Sequence, residues 1–243
     1  MTREYIAHMN IKDNLTIIIP SKNESRTLYD CVYNISKQTN INGTRVIISD
    51  VSDTYDSLFH IRDLIRDFSH LLDIEVIKGG YPSEARFNGS VLVDTPYMLF
   101  LDADVFLTNP IMLDECLKHH KDLITVPFYT DYPYRWVFRV FDLFQRLSIL
   151  AGTPFAIGGF QLWNTRSYWK VGGYNPLELF AEDYSLSKKV NVKEFKILNI
   201  SGIYTSPRRF KSKGIFWMFQ IMVKAYINRN NPEFFRQSHK YWD

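Results

Sequence analysis

The chain has 243 residues, 46% of them apolar and 16% aromatic, which excludes a disordered chain and allows one large domain with a sizeable core. A net charge of +3 excludes a strongly basic protein, and the basic residues form no stripe with interleaved aromatics of the kind nucleic-acid binders carry. The basic excess is confined to residues 206–243, with eight Lys and Arg against two acidic residues, a patch suited to phosphate groups, to anionic lipid headgroups or simply to solvent.

Residues 15–19 predict an apolar strand closed by Pro20, and Ser21 to Glu24 open a helix that carries Leu28, Cys31, Val32 and Ile35 at helical spacing. Residues 45–48 predict a second strand, ending at Asp50. Over residues 56–72, Leu58, Ile61, Ile65, Phe68 and Leu72 fall on one stripe of a crossover helix. A third strand at 74–77 is followed by Gly79-Gly80 and a helix from about residue 83 to 93. The fourth strand, 97–101, runs directly into Asp102 and Asp104. This alternation predicts a parallel α/β sheet with right-handed crossovers, whose ligands collect at the carboxyl ends of the strands. Side-chain alternation puts both aspartates on one side at the strand exit, where Mn²⁺ or Mg²⁺ can bridge them to a diphosphate; a plain acidic turn is the alternative.

The second half is less regular. Residues 123–127 predict a strand. Residues 134–150 carry Val137, Val140, Phe141, Phe144 and Leu147 on one helical face, suited to the core or to a membrane surface. Ala156-Ile157-Gly158-Gly159-Phe160 leads to Val171-Gly172-Gly173-Tyr174 and a helix opening near Glu182-Asp183. Residues 214–227 are apolar nearly all round, hence buried or embedded in an interface. Cys31 and Cys116 lie in helical contexts with no ligand or disulfide spacing and read as buried thiols of a reducing compartment. Residues 1–5 have no apolar leader character, and no run approaches the roughly 20 residues of a membrane span. The expectation is a cytoplasmic protein, soluble or peripheral on the cytoplasmic face of a membrane.

Five segments in order then carry a resemblance. Ile17-Ile18-Ile19-Pro20-Ser21-Lys22-Asn23-Glu24, Ile48-Ser49-Asp50-Val51-Ser52-Asp53, Ala85-Arg86-Phe87-Asn88-Gly89, Asp102-Ala103-Asp104 and Gly172-Gly173-Tyr174 with Glu182-Asp183 resemble the successive motifs of inverting family 2 glycosyltransferases. The second segment departs from the usual Asp-Asp-Gly-Ser, with Ser49 for the first Asp and Val51 for the Gly. The chain is also similar to the polyprenol-phosphate sugar synthases of that family, although Phe106 stands where those often have a polar residue. The resemblance, over roughly residues 15–189, implies an α/β GT-A fold: a single Rossmann-like domain over 1–243 with a central, mostly parallel sheet flanked by helices. Residues 12–107 form its nucleotide-sugar-binding half and 108–243 its acceptor-binding half.

The implied activity is inverting, metal-assisted transfer of a sugar from a nucleotide diphosphate sugar to a glycan or lipid-linked acceptor hydroxyl. A polyprenol phosphate acceptor and a non-catalytic nucleotide-sugar binder are the alternatives. Pro20, Ser21, Glu24, Asp50 and Ala103 are expected along the donor, with Asp104 on the metal and Asp102 on the ribose or, through water, on the metal. Arg86 pairs with a phosphate or with Asp102. The basic loop at Arg208 and Arg209 folds over the diphosphate or stays solvated. Asp183 is the candidate general base, the alternative being that it merely caps and charges a helix start. Gly159, Trp163 and Glu182 are expected on the acceptor side, and His239 is a remote candidate for a third metal ligand.

Overall fold

The computed structural model describes residues 10–199 and 202–241, so residues 1–5, read above as lacking an apolar leader, lie outside the described residues. The elements are α1 (Ile11–Asn14), β1 (Leu15–Ser21), α2 (Ser25–Ile35), β2 (Arg45–Asp50), α3 (Tyr55–Phe68), β3 (Asp73–Lys78), α4 (Pro82–Ser90) and β4 (Tyr97–Leu101) in the first half. They continue with β5 (Val105–Leu107), α5 (Met112–Leu117), β6 (Leu123–Thr125), β7 (Phe128–Tyr129), α6 (Arg135–Leu150), β8 (Phe160–Asn164), α7 (Thr165–Lys170) and α8 (Glu182–Ser187). Last come β9 (Phe195–Ile197), β10 (Ile203–Thr205), α9 (Arg208–Lys213), α10 (Ile215–Ile227) and α11 (Pro232–Phe235).

A seven-stranded sheet has the order β3-β2-β1-β4-β8-β6-β9; β1 to β4 are parallel, and β8 runs antiparallel to both its neighbours. Alternation along the central strands divides the core between its faces: Ile17 and Ile19 join one apolar cluster, Ile18 the other. The helix α4 packs against β1 through Gly89, where a Cβ would stand 2.5 Å from Ile18 Cγ2. A second sheet, β5-β10-β7, lies beyond the end of β4.

Several expectations shift. Pro20 does not close β1, because β4 pairs only as far as Ile18 and leaves that side of β1 without a ladder; the strand continues to Ser21 and the helix starts at Ser25. On α3 the buried face is Ser57, Ile61, Leu64 and Phe68, while Leu58 and Ile65 are exposed. On α6, Val137, Phe138 and Phe141 reach the core, but Phe144 and Leu147 are half exposed. Only one face of α10 is buried. Cys31 and Cys116 are buried free thiols. No helix among the described residues is long and apolar enough to cross a membrane.

Candidate active site

The strand order changes direction between β1 and β4, which opens a crevice at their carboxyl ends. Parallel register sets Ser21 beside Asp50 there. Asp50 is fixed by Ser52, whose N–H and hydroxyl donate to its two carboxylate oxygens at 2.9 and 2.7 Å. Asn23 ties the two strand ends together: its N–H donates to Ser52 Oγ at 2.8 Å and its amide to Asp53 Oδ1 at 2.9 Å. Asn23 has φ 55°, a left-handed conformation that Asn tolerates better than most residues. The sequence reading gave Asn23 and Ser52 no role, although a turn Asn after a strand was a signal for one. Pro20, Ser21 and Asp50 thus lie together at the carboxyl ends of β1 and β2.

Asp102 to Asp104 form a turn, closed by the N–H of Val105 on the Asp102 carbonyl at 3.1 Å, so strand alternation does not govern them. Asp102 accepts from Arg86 Nη2 at 2.6 Å. Asp104 pairs with Arg208 Nη2 at 3.2 Å, and the same guanidinium holds Glu24 at 2.8 and 3.1 Å. The β5–β10 ladder explains this: Thr205 pairs with Val105, which brings the residues after Thr205 to the Asp turn. The basic loop expected around Arg208 and Arg209 is instead the short helix α9. Arg209 donates to the Tyr241 hydroxyl at 2.8 Å, and its charge acts on both Asp102 and Asp104. Ala103 is corrected: its methyl is buried in the core, so it offers the donor no side-chain contact.

Burial, with Asp102 and Glu24 nearby, pushes the Asp104 carboxyl up to about 6. The three carboxylates are already paired with Arg86 or Arg208, and a divalent cation here would take the place of Arg208 on Asp104. Among the described residues no group of three ligating side chains converges, so a cation here would draw its other ligands from phosphate and water, as Mg²⁺ commonly does. His239 does not join: its ring lies 4.3 Å from that of Phe234 and its Nε2 bonds the Phe234 carbonyl at 2.8 Å.

Arg86 is buried, with Asp102 on one amino group and Glu182 on the other at 2.5 Å. Of its two expected partners the structure selects Asp102, and a phosphate role is corrected because both amino groups are engaged. Glu182 is buried with its carboxylate taken by Arg86, so although it lines the cavity described below it is a counter-ion first. Next to it, Asp183 accepts the N–H groups of Gly158 at 2.8 Å and Tyr184 at 2.7 Å. Burial, then the neighbouring Glu182, lifts its carboxyl to about 7. Ala181, just before α8, has φ 48°, a strained conformation for alanine of the kind that collects at functional sites.

Gly158 was missed. A Cβ there would stand 2.7 Å from Arg86 Nη2, so any side chain would displace the guanidinium from its place, and it is Gly158 that bonds the candidate base. Gly159 is corrected to a core position, where a Cβ would meet Phe128 at 2.9 Å. Trp163 is likewise corrected: it is 0% exposed and donates its indole N–H to Gln161 at 2.9 Å, which leaves no face for a sugar.

A cavity of about 420 Å³ runs from Asp183, Asp102 and Arg209 to the space between α6 and α10. The fold resembles solved glycosyltransferases. These include a mannosyltransferase from Pyrobaculum calidifontis in complex with GDP-Man and Mn²⁺, with TM-score 0.64 and 14% identity over 87% of this chain and 64% of that one. S. aureus TarS 1–349 in complex with UDP-GlcNAc gives TM-score 0.63 and 16% identity over 79% and 58%. GalNAc-T7 with UDP, GalNAc and Mn²⁺ gives 0.57 and 13% over 79% and 44%. The chain thus spans less than two thirds of the length of these relatives. No curated protein matches it significantly by sequence. Residues 16–172, more than half of the chain, match the family described as Glycosyl transferase family 2. With its mostly parallel sheet and flanking helices, the chain belongs to that family and has the GT-A fold.

Proposed function

We propose that the protein transfers a sugar from a nucleotide diphosphate sugar to an acceptor hydroxyl with inversion, and that Asp183 is the general base. Asp183 is the observation that carries this reading. Two backbone N–H groups fix its carboxylate at the end of a cavity, with its proton affinity set near neutrality, where a base both holds and releases a proton. The acceptor oxygen attacks the anomeric carbon, its proton passes to Asp183, and the bond from that carbon to the diphosphate oxygen breaks on the opposite face. An α-linked donor therefore gives a β-linked product.

Ser21, Asp50 and Asn23 shape the nucleotide pocket in this reading; Arg209, and the solvent-exposed Arg208 once it turns from Glu24 and Asp104, meet the charge of the leaving diphosphate. Asp104, with Asp102 acting through water, would hold Mn²⁺ or Mg²⁺, which when bound supplies Lewis-acid stabilisation of that charge. The relatives solved with GDP-Man, UDP-GlcNAc and UDP support a nucleotide-sugar donor. Buried free thiols suit the cytoplasm, and peripheral attachment to a membrane there belongs to the same proposal.

Thermal melting with UDP-, GDP-, CMP- and dTDP-sugars in Mn²⁺, Mg²⁺ or EDTA tests it. A donor at 100 times its Kd adds about 2.7 kcal/mol of stability. A metal-dependent rise with one nucleotide class is expected, and absence of a rise with every donor overturns the proposal.

A further inference from the structure

None of the charged side chains lining the 420 Å³ cavity, Asp183 and Arg209 among them, comes from α6 or α10. Those two helices contribute a wall of mainly apolar side chains, with Ser148 and Tyr226 as its polar members. Phe144 and Leu147 on α6, with Val223 and Tyr226 on α10, line the cavity and are each about half exposed, at 46%, 46%, 53% and 45%. The cavity therefore opens between these helices onto apolar surface, and a continuous path leads from that mouth to the candidate base.

A free glycan filling this space would shed water from its hydroxyls against side chains that return few hydrogen bonds. A hydrocarbon chain gains from the same burial. A second protein copy or a chain segment seated here would obstruct Asp183, whereas an acceptor must reach it. The occupant that satisfies both ends has a hydroxylated head and an apolar tail.

We propose, resting on the transferase reading above, that the acceptor is a lipid-like amphiphile: its head presents a hydroxyl to Asp183 and its hydrocarbon chain lies in the cavity between α6 and α10. The exposed apolar mouth then faces the lipid surface from which the tail enters.

Calorimetric titration with n-hexyl, n-octyl and n-decyl β-D-glucopyranosides, kept below their micellar concentrations, tests the tail site directly. Affinity is expected to rise by up to about fourfold per added methylene until the cavity is full. Leu147→Asp and Val223→Asp put a carboxylate on opposite walls at positions exposed enough to leave folding intact, which a melting curve verifies. Both are expected to weaken decyl glucoside at least tenfold and to abolish the dependence on chain length.

Affinity independent of chain length, or a chain-length dependence that survives in both variants, overturns the proposal. So does a dimer that Leu147→Asp dissociates in a protein that binds no alkyl glucoside, since the face then belongs to a second copy. Nucleotide-sugar melting shifts on the same preparation separate the two readings. A donor shift without a chain response overturns the lipid acceptor and leaves the transferase standing. A chain response without any donor shift overturns the acceptor role together with the transferase reading.

Discussion

Gly158 donates its backbone N–H to Asp183 Oδ2 at 2.8 Å, and so holds the candidate base from a segment 25 residues earlier in the chain. A methyl group at this glycine would lie 2.7 Å from Arg86 Nη2, and both the N–H and the guanidinium would have to move. Displacements of about 1 Å at a reacting group can reduce rate on the order of 10²-fold. Gly158→Ala is expected to lower kcat by roughly that factor while leaving the affinity for the nucleotide sugar intact. A kinetic split in which KM for the donor rises and kcat stays constant would assign Gly158 to the donor side instead.

Asp183→Asn is expected to retain donor binding and lose transfer by about 10²- to 10⁴-fold, the usual contribution of a positioned base. The base works deprotonated, so wild-type kcat should rise with pH through about 7, and the residual rate of the variant should lack that limb. Stability moves the other way. The folded carboxyl is lifted from 3.8 to about 7, so between those values the folded chain keeps a proton that the unfolded chain has released. Stability from this group is greatest at the acid side of the window and falls as pH rises through it. Denaturant midpoints taken across pH 4 to 7 should show a smaller fall in the variant than in the wild type.

The central strands were legible because each is an apolar run with a turn residue or carboxylate at its end, and a parallel sheet buried on both faces demands such runs. The motifs around Asp50, Arg86, Asp102 and Asp183 were legible through their order along the chain. What each side chain touches was not. Glu182 and Asp183 are adjacent and chemically alike and both line the cavity, yet Glu182 is the buried counter-ion of Arg86 while Asp183 is held by the N–H groups of Gly158 and Tyr184. Trp163 looked free because β8 runs antiparallel between β4 and β6, a placement that no local pattern announces. Residues 123–127 announce β6 by their apolar run, but strands of three residues such as β9 and β10 carry too little periodicity to be read, and β10 is the one that delivers Arg208 to Asp104.

Asp104→Ala removes the carboxylate that Arg208 holds and that the proposed function assigns to the cation. The metal-dependent part of the melting shift given by a nucleotide sugar is expected to disappear, with any shift measured in EDTA retained. A full Mn²⁺-dependent shift in the variant would move the metal site elsewhere.

Arg86→Met tests the ion pair beneath the site. The guanidinium is 3% exposed and holds Glu182, itself 5% exposed, so its removal leaves a buried carboxylate without its counter-ion. Breaking a buried pair from one side typically costs about 3–5 kcal/mol, a large part of the stability of most domains. The variant should unfold at markedly lower urea concentration. Arg86→Met combined with Glu182→Gln should recover part of the loss, because the stranded charge is then gone. Equal midpoints for the single and double variants would show that the charge on Glu182 is not what Arg86 serves.

Trp163→Phe distinguishes packing from acceptor recognition. The indole is wholly buried between the sheet and Tyr168, at 5.7 Å between ring centroids, and its N–H bonds Gln161 Oε1, which also receives the Tyr174 hydroxyl at 2.9 Å. Phenylalanine keeps much of the apolar contact but leaves a void and one fewer donor. Trp163→Ala enlarges the void, at a cost of about 3–5 kcal/mol for a buried aromatic. Melting temperature should therefore fall from wild type to Phe to Ala, while the KM for acceptor in Trp163→Phe stays at the wild-type value. Had Trp163 stacked on an acceptor sugar, the order would reverse, with KM rising at an unchanged melting temperature.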